Sequence, residues 1–331
     1  MISAFISAFF FLSIFLTQQD IGVEHVYLDR INTSSIADQV IHFDLKEDFT
    51  NIQDLVITQD FYFISPGEEK SKGFSTSVSK LDKSGKYLGE IYRSETGSLI
   101  SDLAYNPSTK SLIISHNQKI VLLNVVTNKI IKEVEIDKRI TRTKIFKSKL
   151  YVAGFNYTDD SEIYYLDIYD PLSLKLIETK KEMKYVLADK AFRHSSLSSK
   201  GDELFVSMGA VNEIYSSADG FKKPIITFKN IYKNKPSLGN ILFSSNQGLV
   251  GKFATTGFKY LNNYYIYYYD LNAKKQYLSK TGENSGLYDD INNIGHIRNP
   301  RFTNANEYMF STKKDKLNEK GITVILLKIK S

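Results

Sequence analysis

The chain has 331 residues, of which 42% are hydrophobic and 24% are charged, an ordinary composition for a folded globular protein. Its formal net charge is only +6 and no run of five Lys or Arg occurs, so we predict a Lys-rich solvated surface and no nucleic-acid partner. The absence of Cys excludes disulfides, thiolate metal sites, a Cys nucleophile and lipidation of a Cys.

The first predicted element is an apolar segment, Ile2 to Leu16, which is uncharged and ends at T-Q-Q-D. Its length suits the hydrophobic region of a signal peptide and is short for a membrane span. We therefore expect a signal peptide at 1–17, an N-terminal extension at 18–33 and one folded domain at 34–331. No Lys or Arg precedes the apolar run, so an uncleaved anchor and a buried segment stay open as alternatives. The expected location is exported, either periplasmic or extracellular at the cell surface, with no stable membrane span beyond this segment.

From Val40 onward the chain predicts short strands separated by turns, without a sustained helical periodicity. A short polar residue recurs at the end of a strand, followed by a turn and a Lys that opens the next strand, at spacings of 42, 46, 46 and 54 residues. The residues at this position are Asp82, Asn124, Asp170, Ser216 and Asp270. Because such side chains bond turn backbone, we predict a structural role for them.

A second hairpin precedes each of these turns, so that each unit holds four strands in about 47 residues, the arithmetic of a β-propeller blade. These hairpins occupy residues 54–65, 102–115, 143–154, 195–207 and 240–251, and a sixth copy starts at 300–311. The sixth copy is one strand short, and the early strand Val40 to Leu45 can supply it and remove an unpaired edge. We predict an all-β fold, a monomeric six-bladed β-propeller with four-stranded antiparallel blades, closed by an N-terminal strand.

Two segments resemble a known family. S-I-A-D-Q-V-I-H-F-D-L at 35–45 is similar to the entry strand of six-bladed β-propeller proteins common in Bacteroidetes, which are related in shape to NHL-repeat propellers. Y-D-D-I-N-N-I-G-H-I-R-N-P-R-F at 288–302 resembles the segment before their last blade. The family's usual Gly-rich stretch is replaced here by Y-R-S-E-T-G-S at 92–98, and its frequent lipid-attachment Cys is missing. The resemblance implies an exported propeller without an assigned activity.

Basic residues near the start of the first strand in three blades are the candidate ligand-binding residues. In a propeller, these strand starts converge on one mouth of the central channel, where Arg suits the capture of carboxylate or phosphate. The predicted positive funnel consists of Arg139 or Arg142, Arg193, His194, His296 and Arg298. The alternative is that these are unconnected surface charges.

Catalytic and metal-binding motifs are absent from the sequence: there is no H-E-x-x-H, calcium loop, G-x-S-x-G or phosphate-binding G-x-x-x-x-G-K. We predict no metal and no cofactor, and we leave catalytic residues unassigned. The acidic pairs Asp159–Asp160 and Asp289–Asp290 are interpreted as polar loop residues, and Tyr264–Tyr269 as a strand buried between blades.

The favoured function is an exported, non-enzymatic binding protein for a protein, peptide or glycan, with contact at one channel mouth. An alternative is a lyase or hydrolase with its site in the central funnel, acting on an anionic substrate. A third interpretation is a structural module of a surface assembly, which predicts a broad apolar patch on the rim or on a face.

Overall fold

The structure is a computed structural model, and its described part holds the strands of an all-β protein. The described residues are 19–22, 27–28, 30–45, 47, 49–67, 74–186, 195–208, 213–229, 238–244, 248–254, 264–270, 273–279, 285–298, 300–303, 308–314 and 321–330. The predicted signal peptide lies outside them. No helix within these ranges has the length and apolar character needed to cross a membrane.

The N-terminal part of the chain contributes strands to several sheets in turn. They are β1 (Gln19–Gly22), β2 (Tyr27–Leu28), β3 (Ile31–Asn32) and β4 (Ala37–Leu45), with a 3-10 helix at Thr33–Ser35 before β4.

Blades 1 to 3 are antiparallel sheets, each made of four strands in chain order. Blade 1 contains β5 (Asn51–Ile57), β6 (Phe61–Gly67), β7 (Ser77–Asp82) and β8 (Tyr87–Arg93); blade 2 contains β9 (Ile100–Asn106), β10 (Ser111–His116), β11 (Lys119–Asn124) and β12 (Lys129–Glu135); blade 3 contains β13 (Arg139–Phe146), β14 (Lys149–Tyr157), β15 (Ser161–Tyr169) and β16 (Leu176–Val186).

Blades 4 to 6 follow the same plan, and a short hairpin comes before the last blade. Blade 4 contains β17 (Ser196–Lys200), β18 (Glu203–Ser207), β19 (Glu213–Ser216), a 3-10 helix at Ser217–Asp219 and β20 (Pro224–Lys229); blade 5 contains β21 (Leu238–Ser244), β22 (Gly248–Ala254), β23 (Tyr264–Asp270) and β24 (Lys275–Leu278); the hairpin is β25 (Leu287–Asp289) and β26 (Gly295–Ile297); blade 6 contains β27 (Arg301–Phe302), β28 (Tyr308–Lys314), β29 (Ile322–Ile329) and β4.

The first strands of blades 1 to 5 lie against one another in order, which makes the first strand of each of these blades the innermost. The ring closes where β4 pairs antiparallel with β29, from Leu45 opposite Ile322 to Ala37 opposite Ile329. This confirms the predicted six-bladed propeller and its closure by an N-terminal strand.

Packing between blades explains why several strands are apolar on both faces. In β10 all six residues are buried, since blade 2 is covered on both sides by its neighbours. Ile266 and Tyr267 to Tyr269 of β23 are likewise buried, as expected for a strand between blades. Separate apolar clusters fill the described interfaces between blades, so the hydrophobic effect acts on each interface rather than on one central core.

The repeated polar residues make the turns that the sequence predicts. Each accepts hydrogen bonds from backbone N–H groups of its own turn; the residues are Asp82, Asn124, Asp170, Ser216 and Asp270. Asp82, for example, accepts from the backbone N–H of Ser84 at 2.8 Å and of Lys86 at 3.0 Å, and the turn needs Gly85 at φ +83°. These repeated polar residues therefore have a structural role.

The strands before β4 extend other sheets by parallel pairing. β1 is a fifth strand on the outer edge of blade 4, β2 is a fifth strand on the outer edge of blade 5, and β3 joins the hairpin β25–β26. The chain thus covers part of the rim with its own N-terminal segment.

Closure of the ring depends on the buried side chains between blades 6 and 1. Leu326 of β29 packs in one cluster with Leu55 and Ile64 of blade 1. We expect Leu326→Ala to lower the free energy of unfolding by about 2–5 kcal/mol, because it leaves a cavity at this interface. Urea unfolding at constant m-value measures the loss. The control Leu99→Ala, at an exposed site, should change stability by less than about 0.5 kcal/mol; equal losses would contradict the assignment.

Candidate functional site

Five charged side chains lie together on the innermost strands of four consecutive blades, and their charges act on one another. We call them the channel cluster. Its members are Asp54 of β5, Asp102 of β9, Arg142 and Lys144 of β13, and Arg301 of β27. Arg301 begins β27 and Asp102 lies in the first half of β9, whereas Asp54 and Arg142 lie near the middle of their strands and Lys144 two residues further along.

A β-bulge at the same place in three inner strands positions this cluster. Asp54, Asp102 and Arg142 each follow a residue that the register of the hairpin skips. The skipped residues are Gln53, Ser101 and Thr141. A bulge turns the side chain that follows it, and bulges are frequent next to functional sites.

The two carboxylates link neighbouring inner strands. Asp54 accepts hydrogen bonds from the backbone N–H of Leu55 and, across the blade boundary, of Leu103, both at 2.8 Å. Asp102 accepts from the backbone N–H of Thr143 in blade 3 and from its hydroxyl at 3.1 Å. An innermost strand has no neighbour on its channel side, so these carboxylates supply acceptors that the sheet cannot.

Arg301 closes the same series between blades 6 and 1. Its Nη1 donates to the backbone carbonyls of Ile52 at 3.0 Å and Gln53 at 2.9 Å. Burial lowers the pKa of Arg301, and the charge of Asp54 opposes this shift. This guanidinium is therefore held by the fold.

Arg142 is held less completely. Its Nη1 donates to the carbonyls of Ser101 at 3.3 Å and Thr141 at 3.1 Å and lies 3.5 Å from Oδ1 of Asp102. Its side chain is 41% exposed, whereas Asp102 is almost fully buried. Arg142 is thus a member of the cluster that solvent reaches.

Burial and proximity perturb the titration of the cluster. Burial raises the pKa of Asp54, and it raises the pKa of Asp102 well above its usual range, although the charge of Arg142 opposes both shifts. The interaction between the two carboxyl groups adds to the rise of the Asp102 pKa and opposes the rise of the Asp54 pKa, which favours a proton on Asp102. Burial lowers the pKa of Lys144 to about 8, with the charge of Asp102 acting in the opposite direction.

Of the predicted basic residues, Arg142 belongs to the channel cluster. Arg139 lies three residues earlier on β13, where its guanidinium is 4.9 Å from the centroid of the Tyr157 ring. Its backbone carbonyl accepts a hydrogen bond from the Tyr165 hydroxyl at 2.8 Å. The sequence left Arg139 and Arg142 as alternatives, and their surroundings differ.

The remaining predicted residues lie in other segments. His296 belongs to β26, with its ring 5.3 Å from that of Tyr288, and Arg298 follows that strand with an exposed side chain. Arg193 and His194 lie outside the described residues.

Four members of the cluster were not predicted from the sequence: Asp54, Asp102, Lys144 and Arg301. One signal was available. Asp54 and Asp102 both stand before Leu at the first position of the aligned inner hairpins, D-L-V and D-L-A. A carboxylate repeated at a position that faces the next blade indicates an acceptor for that blade.

His116 has a structural environment. His116 is buried, with Nε2 2.8 Å from the Tyr92 hydroxyl and Nδ1 3.2 Å from the carbonyl oxygen of Ser98, so Nδ1 donates and Nε2 accepts. Burial lowers the pKa of His116 and favours its neutral form. Within the described ranges no group of three or more His, Cys, Asp or Glu could hold a metal ion.

The acidic pair Asp289–Asp290 differs from its interpretation as loop polarity. Asp289 ends β25, is fully buried and accepts from two backbone N–H groups of the following turn; its Oδ2 is 3.8 Å from Nε2 of His42. Asp290 accepts from the backbone N–H of Ser34 at 2.9 Å. Both tie the hairpin to the N-terminal segment. Asp159–Asp160, by contrast, are exposed in a turn as predicted.

Comparisons with known proteins support the architecture. No family model matches the chain, and no curated protein matches its sequence. A solved structure from Bacteroides fragilis, described as an exported protein, superposes with a TM-score of 0.65 at 12% identity, over 94% of this chain and 99% of that one. The extracellular domain of a hybrid two-component system from B. thetaiotaomicron gives 0.52 at 12% identity, over 86% of this chain and 39% of that one. This chain shares their fold. At such identities the likeness shows the fold alone.

The two carboxyl groups should respond differently to amide substitution. In Asp102→Asn the amide oxygen can accept from Thr143 and the amide nitrogen can donate to Asp54, as the protonated acid does, so we expect a loss of less than about 1 kcal/mol. In Asp54→Asn the amide nitrogen would face a backbone N–H, which costs about 1–3 kcal/mol. Urea unfolding of both variants compares them. A loss of stability in Asp102→Asn as large as that in Asp54→Asn would contradict the assignment of the proton to Asp102.

The raised pKa of Asp102 also predicts a pH dependence of stability. A carboxyl group with a raised pKa in the folded state contributes stability that is present below its unfolded value of about 3.9 and is lost as pH rises through its folded value. Asp102→Asn lacks this loss, so its stability relative to the wild type should improve from about pH 4 to neutrality. Unfolding free energies of both proteins across this range test it, and parallel curves would contradict it.

Proposed function

We propose that this chain is an exported β-propeller binding protein that contacts a carboxylate-bearing ligand at the channel mouth where the innermost strands begin. The observation that carries the proposal is the state of Arg142. All its hydrogen bonds to the described residues use Nη1, which leaves Nε and Nη2 without a partner among those residues. These two nitrogens form a donor fork that matches a carboxylate.

The net charge around this fork favours an anion. The raised pKa values of Asp54 and Asp102 favour protonation of this pair, which reduces its negative charge. Arg142 and Arg301 carry two positive charges, and Lys144 adds a third for most of the time at neutral pH because its pKa is about 8. The cluster therefore stays positive although it contains two acids.

Export is supported by two independent observations. The apolar segment Ile2 to Leu16 has the length of a signal-peptide core. The two structures of similar fold are described as an exported protein and an extracellular domain. We propose membership of the exported six-bladed propellers that the sequence resembles, in the periplasm or at the cell surface, with a peptide, protein or glycan as partner.

The other predicted bases enter the proposal as outer contacts. Arg139 begins β13, and His296 and Arg298 come a few residues before β27. Arg193 and His194 precede β17 in the sequence and lie outside the described residues. Such a ring of bases would attract an anionic ligand before Arg142 binds it.

The alternative is an enzyme, a hydrolase or lyase, in the same funnel. The raised pKa values of Asp54 and Asp102 and the lowered pKa of Lys144 favour an enzyme, because perturbed titratable groups cluster in active sites. Against it, the carboxylates of Asp54 and Asp102 bond the backbone of the next blade, and Lys144 is buried. Binding is therefore the function that the geometry favours.

The test is a ligand screen by isothermal titration and thermal unfolding. The probes are succinate, an oligogalacturonide and a peptide with a free C-terminal carboxylate, each paired with its neutral amide or neutral sugar. We expect at least one acid to bind while its neutral analogue does not. At a hundred times its Kd it should stabilise the fold by about 2.7 kcal/mol.

Two variants locate the site. Arg142→Gln should weaken the binding at least tenfold, whereas Arg93→Gln, at an outer-strand Arg paired with Glu90, should leave it unchanged. Equal binding of the neutral analogues, or unchanged binding by Arg142→Gln, would refute the proposal. Chemical conversion of a bound probe would favour the enzyme instead.

A further inference from the structure

Large exposed aliphatic side chains lie close together on the outer edges of blades 2 and 3. We call them the rim patch, and they are 49% to 66% exposed. Its members are Val126, Ile130 and Ile131 of blade 2 and Leu172, Leu176 and Ile177 of blade 3. The two blades meet here, because Nζ of Lys132 donates to the carbonyl of Ser173 at 2.6 Å. Exposed aliphatic side chains grouped in this way are frequent at protein–protein interaction sites.

The patch contains a structural feature that four blades repeat. In the outermost strand of blades 1 to 4, the register skips one aliphatic residue at the equivalent position. The skipped residues are Leu88, Ile131, Ile177 and Ile225. The first three are 48% to 54% exposed, whereas Ile225 is only partly exposed.

Blade 4 shows what covers this position. Directly after the skipped Ile225, residues Ile226 to Lys229 of β20 pair with β1 in parallel. A bulge can protect an edge strand from pairing, but in this molecule a strand is added immediately beyond one. The blade with the added strand is also the one whose skipped aliphatic is sheltered.

Blade 2 offers the same edge without the added strand. After Ile131 come Lys132 to Glu135, four residues without a further register shift, which match the four residues of β20 that pair with β1. The outer strands of blades 1 and 3 have a second shift beyond the first. In the described part of the chain no strand pairs with the outer edge of β12.

We propose that the outer edge of β12 binds an extended segment of a partner polypeptide, which adds as a parallel fifth strand beside the rim patch. Main-chain hydrogen bonds to Lys132–Glu135 would supply part of the affinity, and aliphatic side chains of the partner would cover Ile131 and its neighbours. Charged side chains along β12 disfavour indiscriminate pairing and so favour a selected segment. This surface is separate from the channel cluster and does not depend on its ligand.

The test uses a displayed library of linear 12-residue peptides, selected on the purified protein. We expect enriched peptides to carry aliphatic residues and to protect the backbone amides of Lys132–Glu135 from hydrogen exchange. Ile131→Lys should weaken their binding at least tenfold, because it places a charge in the apolar contact. Ile291→Lys, at an exposed aliphatic residue outside the rim patch, should leave the binding unchanged.

Several results would overturn the inference. These are a failure to enrich any peptide, protection of the channel mouth instead of β12, and equal binding by Ile131→Lys. A dimer in light scattering that Ile131→Lys dissociates would also overturn it, because the occupant would then be a second copy of the chain. Thermal unfolding of both variants confirms that each is folded before binding is compared.

Discussion

Every blade of a propeller has two edges with unpaired backbone groups, and this protein's particular features follow from how it satisfies them. The inner edge faces the channel, where no neighbouring strand is available. The outer edge faces solvent, where any extended chain could pair with it. The ring itself depends on the same requirement, because β4 completes blade 6 by covering the edge of β29.

At the inner edges, charged side chains bond the backbone groups that have no neighbouring strand. Asp54 and Asp102 each accept a backbone N–H of the next blade, and Arg301 donates to two carbonyls of β5. Carboxylates at this depth require cations nearby, which accounts for the clustering of Arg142, Lys144 and Arg301. A site that can hold an anion thus arises from groups that first join the blades. Arg142 differs from Asp102 and Lys144, which are buried, because its side chain is 41% exposed.

The outer edges are treated unequally around the ring. Blades 4 and 5 receive fifth strands from the N-terminal segment, and blade 6 is completed by β4. On blades 1 to 3 the chain places bulges and charged residues, with exposed aliphatics beside them. Among the described strands, the outer edges of blades 4 and 5 are therefore covered, whereas the outer edges of the other four blades are open. The open outer edges of blades 2 and 3, which carry the rim patch, therefore lie beside the covered outer edge of blade 4.

The architecture was predictable from the sequence because it depends on local chemistry. Turn-forming residues such as Asp82 and Asp270 recur at nearly constant spacing, and each acts within its own turn. The closing strand could be inferred because the sixth copy of the repeat is one strand short. Arg142 could be proposed as a ligand-binding residue because the starts of the inner strands converge on one mouth of the channel.

Contacts between blades were decided only by the tertiary structure. Asp54 and Leu103 are 49 residues apart, and Arg301 and Ile52 are 249 apart, so no local pattern shows that they meet. The raised pKa values of Asp54 and Asp102 depend on burial and on a neighbour in another blade, neither of which can be read from the spacing of the repeat. The sequence alone determined the number of blades and the closing strand, because turns and strand lengths are local properties. The tertiary structure decided which charged residues share the channel, because bulges and blade contacts set the direction of each side chain.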